Sequence, residues 1–542
     1  MSRDHRKLRV FEESHRLTLA IYKHTKSFPK EEWYGLRAQL RRATVSIATN
    51  IVEGSARRTT REYLHFLNIA RASGAEVAYL VDLTFELEML TKDAFTLLNK
   101  MSARLVPQLE ALVESVAQLL SEERKAKRRA RTARGKSPKP RAQSQEPEPR
   151  AKAQSPKPMA VSPLASHYSR FRVGERLLLT GHSHPAWPDV GFDAQSRAWL
   201  DAAEFLDEKW ERAAAQAARV REGFARLVGD TPANIALGQN THELVMRWLS
   251  ALPFRQRSRL VTTGGEFHTI RRQMDRLAEE GIDVAKIAVH PVETLADRVA
   301  SAVDDRTLAV LMSSVLFETA AIVPGLDRVA AACATHGAEL LVDAYHQLNV
   351  VPFDLASMGL RGAFVTGGGY KYCQLGEGNC FLRVPDGCRL RPVLTGWFAE
   401  FEALEYTGRE RVTFGEGASA FAGATYDPTS HYRAAAVFDF HQQQGLTSSE
   451  LRRISQQQVA LLVSAFESLD IAPAVARVEP MPLERRGGFV AIHTTRAREL
   501  ARGLRERGVL VDARGDVLRL GPAPYLRDDQ LTDAVAILAE II

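Results

Sequence analysis

The sequence has few cysteines and lacks any long apolar run. Four cysteines occur in 542 residues, Cys333, Cys373, Cys380 and Cys388. So few thiols exclude a disulfide-stapled fold, and their spacing lacks the paired C-x-x-C units of a zinc site, so we predict no metal centre. No segment approaches the roughly 20 apolar residues of a membrane span, and the first residues, MSRDHRKLRVFEESHR, contain no apolar signal core. We therefore expect a protein of the reducing cytoplasm that makes no contact with a membrane.

Positive charge is concentrated in one segment. The net charge is +7, yet the residues from Arg124 to Lys157 include 13 Lys or Arg against two Glu, so the rest of the chain has a net charge of −4. This segment is rich in Pro, Ala and Ser and has no large apolar side chain, so it cannot bury enough surface to offset the entropy of ordering. We predict a disordered basic linker over residues 123–165. We interpret it as a solvated spacer, and the alternative is a contact with nucleic-acid phosphates.

The length and composition indicate a multidomain globular protein. A chain of 542 residues exceeds the roughly 100–200 residues of one domain, and it is 45% hydrophobic and 25% charged. Residues 1–122 show helical spacing, with breaks at Pro29 and at Gly54 and Ser55. Two further amphipathic stretches follow, TTREYLHFLNIARASGAEVAYLVDLTFELEML and KDAFTLLNKMSARLVPQLEALVESVAQLL. We predict an all-α domain of four antiparallel helices.

The stretch FPKEEWYGLRAQLRRATVSIATNIVEGSARRTTREYLHFLNIARASGAEV resembles a family of small bacterial four-helix-bundle proteins encoded in intervening sequences of large-subunit ribosomal RNA genes. The resemblance implies ring-like self-association, and the family has no established catalytic residues. Five residues stand at its recurrent positions: Arg41, Arg42, Asn50, Glu53 and Gly54. We interpret them as an interhelical polar network with a helix C-cap at Gly54, and the alternative is a surface for a nucleic acid or another partner.

From residue 166 onward, short apolar runs alternate with amphipathic helices. The candidate strands are NIALG, RLVTTG, DVAKIAV, TLAVLMSSV, AELLVDAY and GAFVTGG, and the intervening helix patterns include HELVMRWLSAL, TIRRQMDRLAEE and LDRVAAACATHG. Repeated strand-helix-strand units predict an α/β fold, with a largely parallel sheet covered by helices on both faces. Ligands of such sheets bind at the carboxyl ends of the strands.

An acid and a lysine stand at two of these strand ends. Asp343 ends AELLVD, and Lys371 follows the glycines of GGGYK, 28 residues later. Pyridoxal phosphate needs a lysine that forms a Schiff base and a carboxylate that keeps the pyridine nitrogen protonated, so that the ring accepts electrons from a substrate carbanion. The pair therefore predicts pyridoxal 5'-phosphate as the cofactor. Either residue alone would indicate a surface lysine or a strand-capping aspartate.

Two further segments would complete such a site. LGQNTHELV puts Asn240 and Thr241 at a strand-to-helix turn, where backbone N–H groups and a hydroxyl hold a phosphate; an N-cap by Thr241 is an equal alternative. GGEFHTIRRQ follows the next strand, so we expect Phe267 to stack on the pyridine ring with His268 nearby. The alternative for a lone aromatic is a place in the core.

Residues 166–542 resemble the class V aminotransferase superfamily of fold-type I pyridoxal-phosphate enzymes and, within it, kynureninase. The segments that carry the resemblance are DAYHQLNVVPFDL, GGGYKYCQLGEGN, TGWFAEF, FAGATYDP and VLRLGPAPY. Together with the positions above, it assigns catalysis to Lys371 and Tyr370, cofactor binding to Asn240, Thr241, Phe267, Asp343, His346, Tyr370, Lys371, Trp397 and Thr425, and substrate binding to Arg519 and His184. It implies that Trp397 and Thr425 reach the site of a facing subunit, and that Arg519 binds the substrate α-carboxylate through two hydrogen bonds.

Three departures from the kynureninase pattern lie near the predicted site. TGHSHPAWPD, with His182, His184 and Trp187, replaces an Asn-Ser-Leu-Gly segment in a region that shapes the substrate pocket. Gly369 stands where many relatives have a phosphate-binding serine, and FHTI has no acid at Ile270, where Phe-Pro-x-Asp is usual. The motifs therefore predict the cofactor in more detail than the substrate.

We predict a kynureninase-like enzyme that hydrolyses the Cβ–Cγ bond of a kynurenine-type amino acid to an anthranilate and alanine. The alternatives within the superfamily are an aminotransferase and a cysteine desulfurase or lyase; a desulfurase needs a nucleophilic cysteine on a mobile loop, and residues 389–542 contain none. A non-enzymatic alternative is an assembly or nucleic-acid-binding scaffold. We expect a homodimer of the enzyme domain, divided into a large domain of residues 190–430 and a small α+β domain of residues 431–542.

Overall fold

The computed structural model describes residues 4–29, 32, 35–56, 59–133, 164–403 and 411–542. Contacts divide the chain into two compact units, Met1–Lys152 and Ala153–Ile542. None of the helices in these described ranges combines the length and the apolarity needed to cross a bilayer.

The described part of the first unit is a four-helix bundle, as predicted. Its helices are α1 (Arg9–His24), α2 (Leu36–Ala56), α3 (Thr60–Glu86) and α4 (Lys92–Ala133). α1 packs against α2 and α4, α2 against α3, and α3 against α4, so the helices surround one core. That core contains apolar side chains from every helix: Leu17, Ile21, Leu40, Ile47, Leu67, Val77, Leu98 and Leu105.

Polar contacts join the helices of the bundle. Arg41 donates a hydrogen bond from Nε to Oγ1 of Thr25 at 2.8 Å, which links α2 to the residue that follows α1. The side-chain amide of Asn50 donates to Oγ of Ser46 at 3.1 Å, and this hydroxyl lies 2.9 Å from Oγ of Ser73 in α3. These contacts agree with the interhelical network predicted for Arg41 and Asn50.

The predicted C-cap at Gly54 is wrong. α2 continues to Ala56, so Gly54 lies within the helix. A Cβ at this position would lie 2.9 Å from Cβ of Phe66 and 3.1 Å from Cδ2 of Tyr63, both in α3. The glycine is needed because the two helices approach closely here, and not because the chain turns.

The helical unit also extends beyond its predicted end at residue 122. α4 runs to Ala133 and includes Pro107, so the linker predicted from residue 123 begins too early. The reason lies in the sequence SEERKAKRRARTA, in which Ala, Glu, Lys and Arg are strong helix formers despite the high charge. Residues 134–163 lie outside the described residues, so the disorder predicted for them stays a prediction.

The second unit is an α/β structure with an additional smaller sheet. In chain order its strands are β1 (Leu177–Leu178), β2 (Ile235–Gly238), β3 (Arg259–Thr263), β4 (Asp283–Ile287), β5 (Thr307–Ser313), β6 (Glu339–Asp343), β7 (Phe364–Gly368), β8 (Cys380–Arg383), β9 (Arg477–Val478), β10 (Val490–His493), β11 (Val509–Leu510), β12 (Asp512–Arg514) and β13 (Val517–Leu520). Its helices are α5 (Asp189–Phe205), α6 (Lys209–Val228), α7 (Thr241–Ala251), α8 (His268–Glu279), α9 (Leu295–Ser301), α10 (Leu326–His336), α11 (Thr429–Gln443), α12 (Ser448–Glu467), α13 (Ala497–Glu506) and α14 (Asp528–Ala539).

The described residues of this unit form a seven-stranded main sheet in the order β2-β8-β7-β6-β5-β3-β4. β8 pairs antiparallel with both β2 and β7, and the other pairings are parallel. All six strands predicted from apolar runs are present. β8 was missed, because NCFLR is short and follows a glycine-rich turn. Successive residues such as Leu341 and Val342 pack into separate apolar cores, so both faces are covered, and this explains the unbroken apolar runs.

The smaller sheet has the order β12-β13-β10-β9, and it packs with α12 and α14 around its own core. β1, near the start of the unit, pairs with β11, and Thr180 bridges to Gly521. The segment before α5 therefore belongs with the C-terminal part of the chain. The predicted boundary near residue 431 falls inside α11, which packs on α5 and α6 beside the main sheet.

A buried ion pair fixes β8 to the connection between α6 and β2. The Arg383 side chain is 2% exposed and contacts the carboxylate of Asp230, which is 8% exposed. The guanidinium also donates to the carbonyl oxygens of Arg361 and Ala363, at 2.7 and 2.8 Å. Two charges removed from water are stable only while they remain paired and hydrogen-bonded, so the loss of one partner is strongly destabilising.

We predict that Asp230→Ala lowers the free energy of unfolding by about 3–5 kcal/mol, because Arg383 stays buried without its counter-charge. Chemical denaturation of the wild type and the variant measures this loss. The control is Asp439→Ala, which breaks an ion pair with Arg219 whose side chains are 39% and 44% exposed, and we expect it to cost less than about 1 kcal/mol. Equal losses in the two variants would show that the buried pair has no special role.

Candidate active site

The carboxyl ends of six parallel strands lie at one edge of the main sheet. β2 to β7 all end at this edge, since β3 to β7 pair in parallel and β2 and β7 both run antiparallel to β8. The turns that follow these strands carry most of the predicted site residues. Because β8 runs the other way, its first residue, Cys380, lies at the same edge.

A cavity of about 310 Å³ opens at this edge. The predicted cofactor-binding residues that line it are Asn240, Thr241, Phe267, Asp343, His346, Tyr370 and Lys371. It is also lined by Cys380 and by residues that the sequence did not single out, among them Gln239, Ser313, Phe317 and Tyr345. The fold thus brings seven of the nine predicted cofactor-binding residues to one cavity of a size typical of small-molecule sites.

Lys371 lies among aromatic rings and beside a histidine. Its Nζ is 2.5 Å from Nε2 of His346, 4.7 Å from the centroid of the Tyr345 ring and 5.2 Å from that of the Phe267 ring. Burial lowers the pKa of Lys371 to about 7; the charge of Asp343 opposes this shift and that of Arg519 adds to it. A lysine with such a pKa is partly neutral near pH 7 and therefore nucleophilic toward a carbonyl group.

Asp343 ends β6 at the wall of the cavity. Its Oδ1 accepts a hydrogen bond from the backbone N–H of Tyr345 at 2.9 Å. Burial raises the pKa of its carboxyl, while this hydrogen bond and the charge of Lys371 oppose the shift. Burial, together with the charges of Lys371 and Arg519, holds the pKa of His346 well below its usual range, so its ring is neutral. The site therefore joins an amine, a carboxyl group and a neutral imidazole.

The glycines before Lys371 are required by close packing. A Cβ at Gly368 would lie 2.5 Å from Sγ of Cys380, and a Cβ at Gly369 would lie 2.3 Å from Cδ1 of Leu375. A serine at position 369, which many relatives of the resembled family have, would therefore collide with Leu375. The absence of this serine is explained by the way residues 369–379, the lysine loop, fold back on themselves.

The N-terminus of α7 opens onto the cavity. Asn240 is the N-cap, since its side-chain oxygen accepts a hydrogen bond from the backbone N–H of Glu243 at 2.9 Å. Thr241 is the first helical residue, so the alternative of a cap by Thr241 is wrong. Both residues line the cavity, and a helix N-terminus with a hydroxyl group beside it suits a phosphate.

Phe267 faces the cavity and is not part of the core. Its ring is half-buried and meets the ring of Phe317 edge-on, with centroids 5.4 Å apart. Tyr370 lies on the lysine loop, where burial and the charge of Glu377 raise its pKa. His184 is exposed and packs edge-on against the Tyr370 ring at 5.5 Å. His184 thus contacts Tyr370 without lining the cavity, and its role in substrate binding stays a prediction.

Arg519 lies in β13 of the smaller sheet, beside the cavity but not among the residues that line it. Its Nη2 donates to Oδ2 of Asp512 at 2.5 Å, and its Nη1 donates to the carbonyl oxygen of Phe317 at 2.6 Å. Arg519 lies close enough to Lys371 to lower its pKa. Asp512 faces Arg519 directly across the β12–β13 pair, and the sequence motifs gave no sign of this partner.

Trp397 and Thr425 contact each other and do not line the cavity of their own chain. The indole N–H of Trp397 donates to Oγ1 of Thr425 at 3.2 Å, and 44% of Trp397 is exposed. Their assignment to a facing subunit therefore stays a prediction.

Sequence reasoning missed Glu266, which lies beneath the cavity. It is 2% exposed, and its carboxylate accepts hydrogen bonds from the hydroxyl of Thr263 at 2.5 Å and from the backbone N–H and hydroxyl of Ser313 at 3.1 and 2.7 Å. Burial raises its pKa to about 7, and the nearby charge of Asp343 adds to the shift. The sequence signal for Glu266 was its position directly before Phe267, the residue predicted to stack on the cofactor ring.

These residues fit pyridoxal phosphate. The cavity offers a lysine amine whose pKa is about 7, a buried carboxyl group, an aromatic face and a helix N-terminus, which are the groups that the aldehyde, the pyridine nitrogen, the ring and the phosphate require. The polar residues Gln239, Thr241 and Asn379 also line the cavity.

Two family models match the chain. The model described as "23S rRNA-intervening sequence protein" matches residues 6–111, and the model described as "Kynureninase C-terminal domain" matches residues 451–538. Both resemblances predicted from the sequence are thereby confirmed.

Curated relatives match the second unit at low identity. The chain is 22% identical to the uncharacterized aminotransferase YcbU of Bacillus subtilis, over 63% of this chain and 88% of the relative. It is 27% identical to isopenicillin N epimerase of Streptomyces clavuligerus, over 62% of this chain and 88% of the relative. It is 21% identical to a kynureninase of Bacillus cereus, over 66% of this chain and 82% of the relative.

Solved structures establish the fold of the second unit. A variant of C-DES with glycine covalently linked to its PLP cofactor matches with a TM-score of 0.62 at 18% identity, over 69% of this chain and 98% of the other. The apo cysteine desulfurase of Thermococcus onnurineus NA1 matches with a TM-score of 0.58 at 14% identity, over 68% and 95%. The predicted fold-type I architecture is confirmed.

We predict that Glu266→Gln changes how stability depends on pH. Since the pKa of Glu266 is raised from 4.5 to about 7, the folded wild type binds a proton more tightly than the unfolded chain, and it loses stability as pH rises through this interval. The glutamine variant lacks this loss. We therefore expect the free energy of unfolding of the wild type, relative to the variant, to fall by up to about 3 kcal/mol between pH 5 and pH 8.

Denaturation curves at several pH values measure this difference. The control is Glu279→Gln, because Glu279 is 68% exposed and pairs with Arg276 on α8, and its effect should vary with pH by less than about 0.5 kcal/mol. A pH-independent difference for Glu266→Gln would mean that Glu266 is ionised throughout.

Proposed function

We propose that residues 164–542 form an enzyme that binds pyridoxal 5'-phosphate at this cavity and acts on an amino acid. The observation that carries the proposal is Lys371, whose amine has a pKa lowered to about 7 and shares one cavity with Asp343 and Phe267. The matches to kynureninases, to an aminotransferase and to PLP-containing structures support a PLP-dependent enzyme of the class V superfamily.

Each polar group of the cavity has a role in this proposal. Lys371 holds the cofactor covalently, the N-terminus of α7 with Thr241 holds its phosphate, and Phe267 covers one face of its ring. Asp343 keeps a proton on the pyridine nitrogen, because its carboxylate would be buried without a counter-charge if the nitrogen were neutral. When bound, the cofactor supplies a sink for the electrons released at the substrate Cα.

Kynureninase-like hydrolysis is the reaction that we propose. Arg519 binds the substrate α-carboxylate, Lys371 removes the proton from Cα and returns it later, and Tyr370 donates a proton on the lysine side of the cavity. A water adds to the γ-carbonyl, the Cβ–Cγ bond breaks, and the products are an anthranilate and alanine. The match of residues 451–538 to the kynureninase C-terminal domain supports this choice, since this range includes β13 and Arg519.

Carbon–sulfur chemistry is the second candidate, because structural neighbours are described as a cystine C–S lyase and as cysteine desulfurases. A desulfurase needs a thiolate to accept sulfur. Among the described residues that line the cavity, Cys380 is the one thiol, and burial raises its pKa to about 12. Cys380 is therefore protonated and packed into the wall, which favours hydrolysis over sulfur transfer.

Product analysis tests the proposed reaction. The purified protein with its cofactor is incubated with kynurenine, 3-hydroxykynurenine, cysteine, cystine and common amino acids. Anthranilate or its hydroxy derivative, formed together with alanine, would support kynureninase-like hydrolysis. Sulfide would support the carbon–sulfur alternative, a 2-oxo acid with the amine form of the cofactor would support transamination, and no turnover of any amino acid would favour a scaffold.

We predict that Lys371→Ala abolishes covalent labelling of the protein by pyridoxal phosphate after borohydride reduction, because no other amine shares the cavity in the described part of the chain. Mass spectrometry of peptides locates the label. The control is Lys286→Ala, which removes an exposed lysine of β4 that pairs with Asp275, and its labelling should equal that of the wild type. Label that persists on another lysine would overturn the assignment of Lys371.

We propose that the enzyme unit works as a homodimer. Exposed apolar side chains occur on both sides of Trp397 in the sequence: Val393 is 81% exposed, Leu394 51%, Trp397 44% and Phe401 59%. Exposed apolar side chains gathered in one patch are typical of an interface. Because Trp397 and Thr425 do not line the cavity of their own chain, a second subunit on this patch would let them reach its site.

We predict that residues 160–542 expressed alone are dimeric and keep full specific activity, whereas the whole chain forms larger particles through residues 1–122. The reason is that the two units are separately compact and that residues 134–163, predicted from the sequence to be disordered, would span on the order of 30 Å and leave both assemblies free. Light scattering and activity assays on both proteins measure this. A monomeric or inactive truncation would mean that the bundle is part of the catalytic assembly.

A further inference from the structure

One buried arginine of α11 holds the main chain of residues 375–378, which belong to the lysine loop. Arg433 is 7% exposed. Its Nε donates a hydrogen bond to the carbonyl oxygen of Leu375 at 2.7 Å, and its Nη2 donates to the carbonyl oxygen of Glu377. Its Nη1 donates to Oε1 of Gln195 at 2.7 Å. Two of the three guanidinium nitrogens therefore bind carbonyl groups of this one segment.

Two glycines let the segment approach α11 closely. Gly376 has a φ of 69° and Gly378 a φ of 84°, whereas residue 377 between them is not in the left-handed region. A Cβ at Gly376 would lie 2.6 Å from Nε of Arg433, and a Cβ at Gly378 would lie 2.9 Å from Cβ of Ser430. Both the backbone conformation and the contact with α11 therefore require glycine at these positions.

The carbonyl groups that Arg433 binds determine where the following N–H groups point. The C=O and the N–H of a trans peptide point in opposite directions, so the N–H of Gly376 faces away from Arg433 while the carbonyl of Leu375 faces it. The N–H of Gly378 faces away for the same reason, because the carbonyl of Glu377 is bound. Neither N–H group has a hydrogen-bond acceptor in the described part of the chain. Two main-chain donors are thus open on the side away from α11.

That side of the segment is the wall of the cavity. Residues 376–378 line the cavity, whereas Arg433 lies behind them and is not among the described residues that line it. A Cβ at Gly378 would lie 3.2 Å from Oε1 of Gln239, the residue before the N-cap Asn240 of α7. Nearby N–H groups on a segment whose φ alternates in sign form a concave site for an anion. The donors of this segment therefore lie beside the N-terminus of α7.

We propose that Arg433 is a positioning residue, which holds residues 375–378 so that the N–H groups of Gly376 and Gly378 donate to the phosphate of pyridoxal phosphate. The inference rests on the proposed function, and it extends the phosphate site from α7 to the lysine loop. Arg433 does not touch the phosphate. It keeps two carbonyl oxygens turned toward α11, because a carbonyl oxygen that faced the cavity would repel the anion and would turn its N–H away.

A comparison of two ligands tests this role. The full-length protein, freed of its cofactor, is titrated with pyridoxal phosphate and with pyridoxal, which lacks the phosphate, and the absorbance of each bound ligand gives its dissociation constant. We expect Arg433→Gln to weaken pyridoxal phosphate about 10- to 100-fold, the range for lost hydrogen bonds to a charged group, and to change pyridoxal by less than about threefold. Arg433→Lys, whose ammonium group can still donate to one carbonyl, should have an intermediate affinity for pyridoxal phosphate.

A matched arginine controls for the loss of an arginine–carbonyl contact. Arg257 also donates to two main-chain carbonyl oxygens, that of His336 at 2.7 Å and that of Gly337. These residues lie between α10 and the start of β6, at the edge of the main sheet opposite to the cavity. Arg257→Gln should therefore leave the ratio of the two affinities unchanged. Thermal unfolding of both variants measures any general loss of stability separately.

A second measurement needs no variant. Amide hydrogen exchange is followed by mass spectrometry in a peptide that covers residues 374–380 of the wild type, with pyridoxal phosphate or with pyridoxal bound. We expect pyridoxal phosphate to slow exchange in this peptide more than pyridoxal does, because the N–H groups of Gly376 and Gly378 gain an acceptor.

Three results would overturn the inference. Equal weakening of both ligands by Arg433→Gln would show that Arg433 acts on the cavity as a whole, and unchanged affinities would show that it does not act on the cavity. Equal exchange with the two ligands would exclude the phosphate contact. If the wild type binds neither ligand, the proposed function itself fails, and this outcome differs from a wild type that binds both while Arg433→Gln keeps the same preference for pyridoxal phosphate.

Discussion

The burial of the Lys371 amine is the constraint on which the rest of the site depends. An ammonium group removed from water must be paired or lose its proton. At Lys371, burial favours the neutral amine, Arg519 favours it further, and Asp343 opposes it. The opposing charges leave the amine partly neutral near pH 7, the condition in which it can attack an aldehyde and later take a proton from a carbon atom.

The charges that set this balance come from two sheets. Asp343 belongs to the main sheet, whereas Arg519 and Asp512 belong to the smaller one. The hydrogen bond from Arg519 to the carbonyl of Phe317 joins the two, and so does the bond from the backbone N–H of Ile322 to the carbonyl of Arg485. The pKa of the lysine, which burial lowers most, therefore also depends on how the smaller sheet docks on the larger.

The sequence predicts those features that depend on local pattern. The six parallel strands follow from apolar runs, and Asp343 and Lys371 are recognisable because acids and lysines seldom end such runs. Features that depend on distant partners are not predictable in this way. Gly54 resembles a helix end, but it faces Phe66 of another helix. The buried carboxylate of Glu266 is stabilised by a hydrogen bond from Ser313, 47 residues away. Asp512 contacts Arg519 because strand pairing sets the two residues opposite each other.

The antiparallel strand β8 has a consequence for how this chain can vary. Residues 369–379 leave β7 and return to β8 beside it, and the N–H of Gly369 donates to the carbonyl of Asn379 at 2.8 Å, which closes the loop. Phe381 and Leu382 pack into opposite cores of the sheet. A shift of β8 by one residue against β7 would exchange their faces, since side chains alternate along a strand. The closed loop therefore holds both Lys371 and the register of β8.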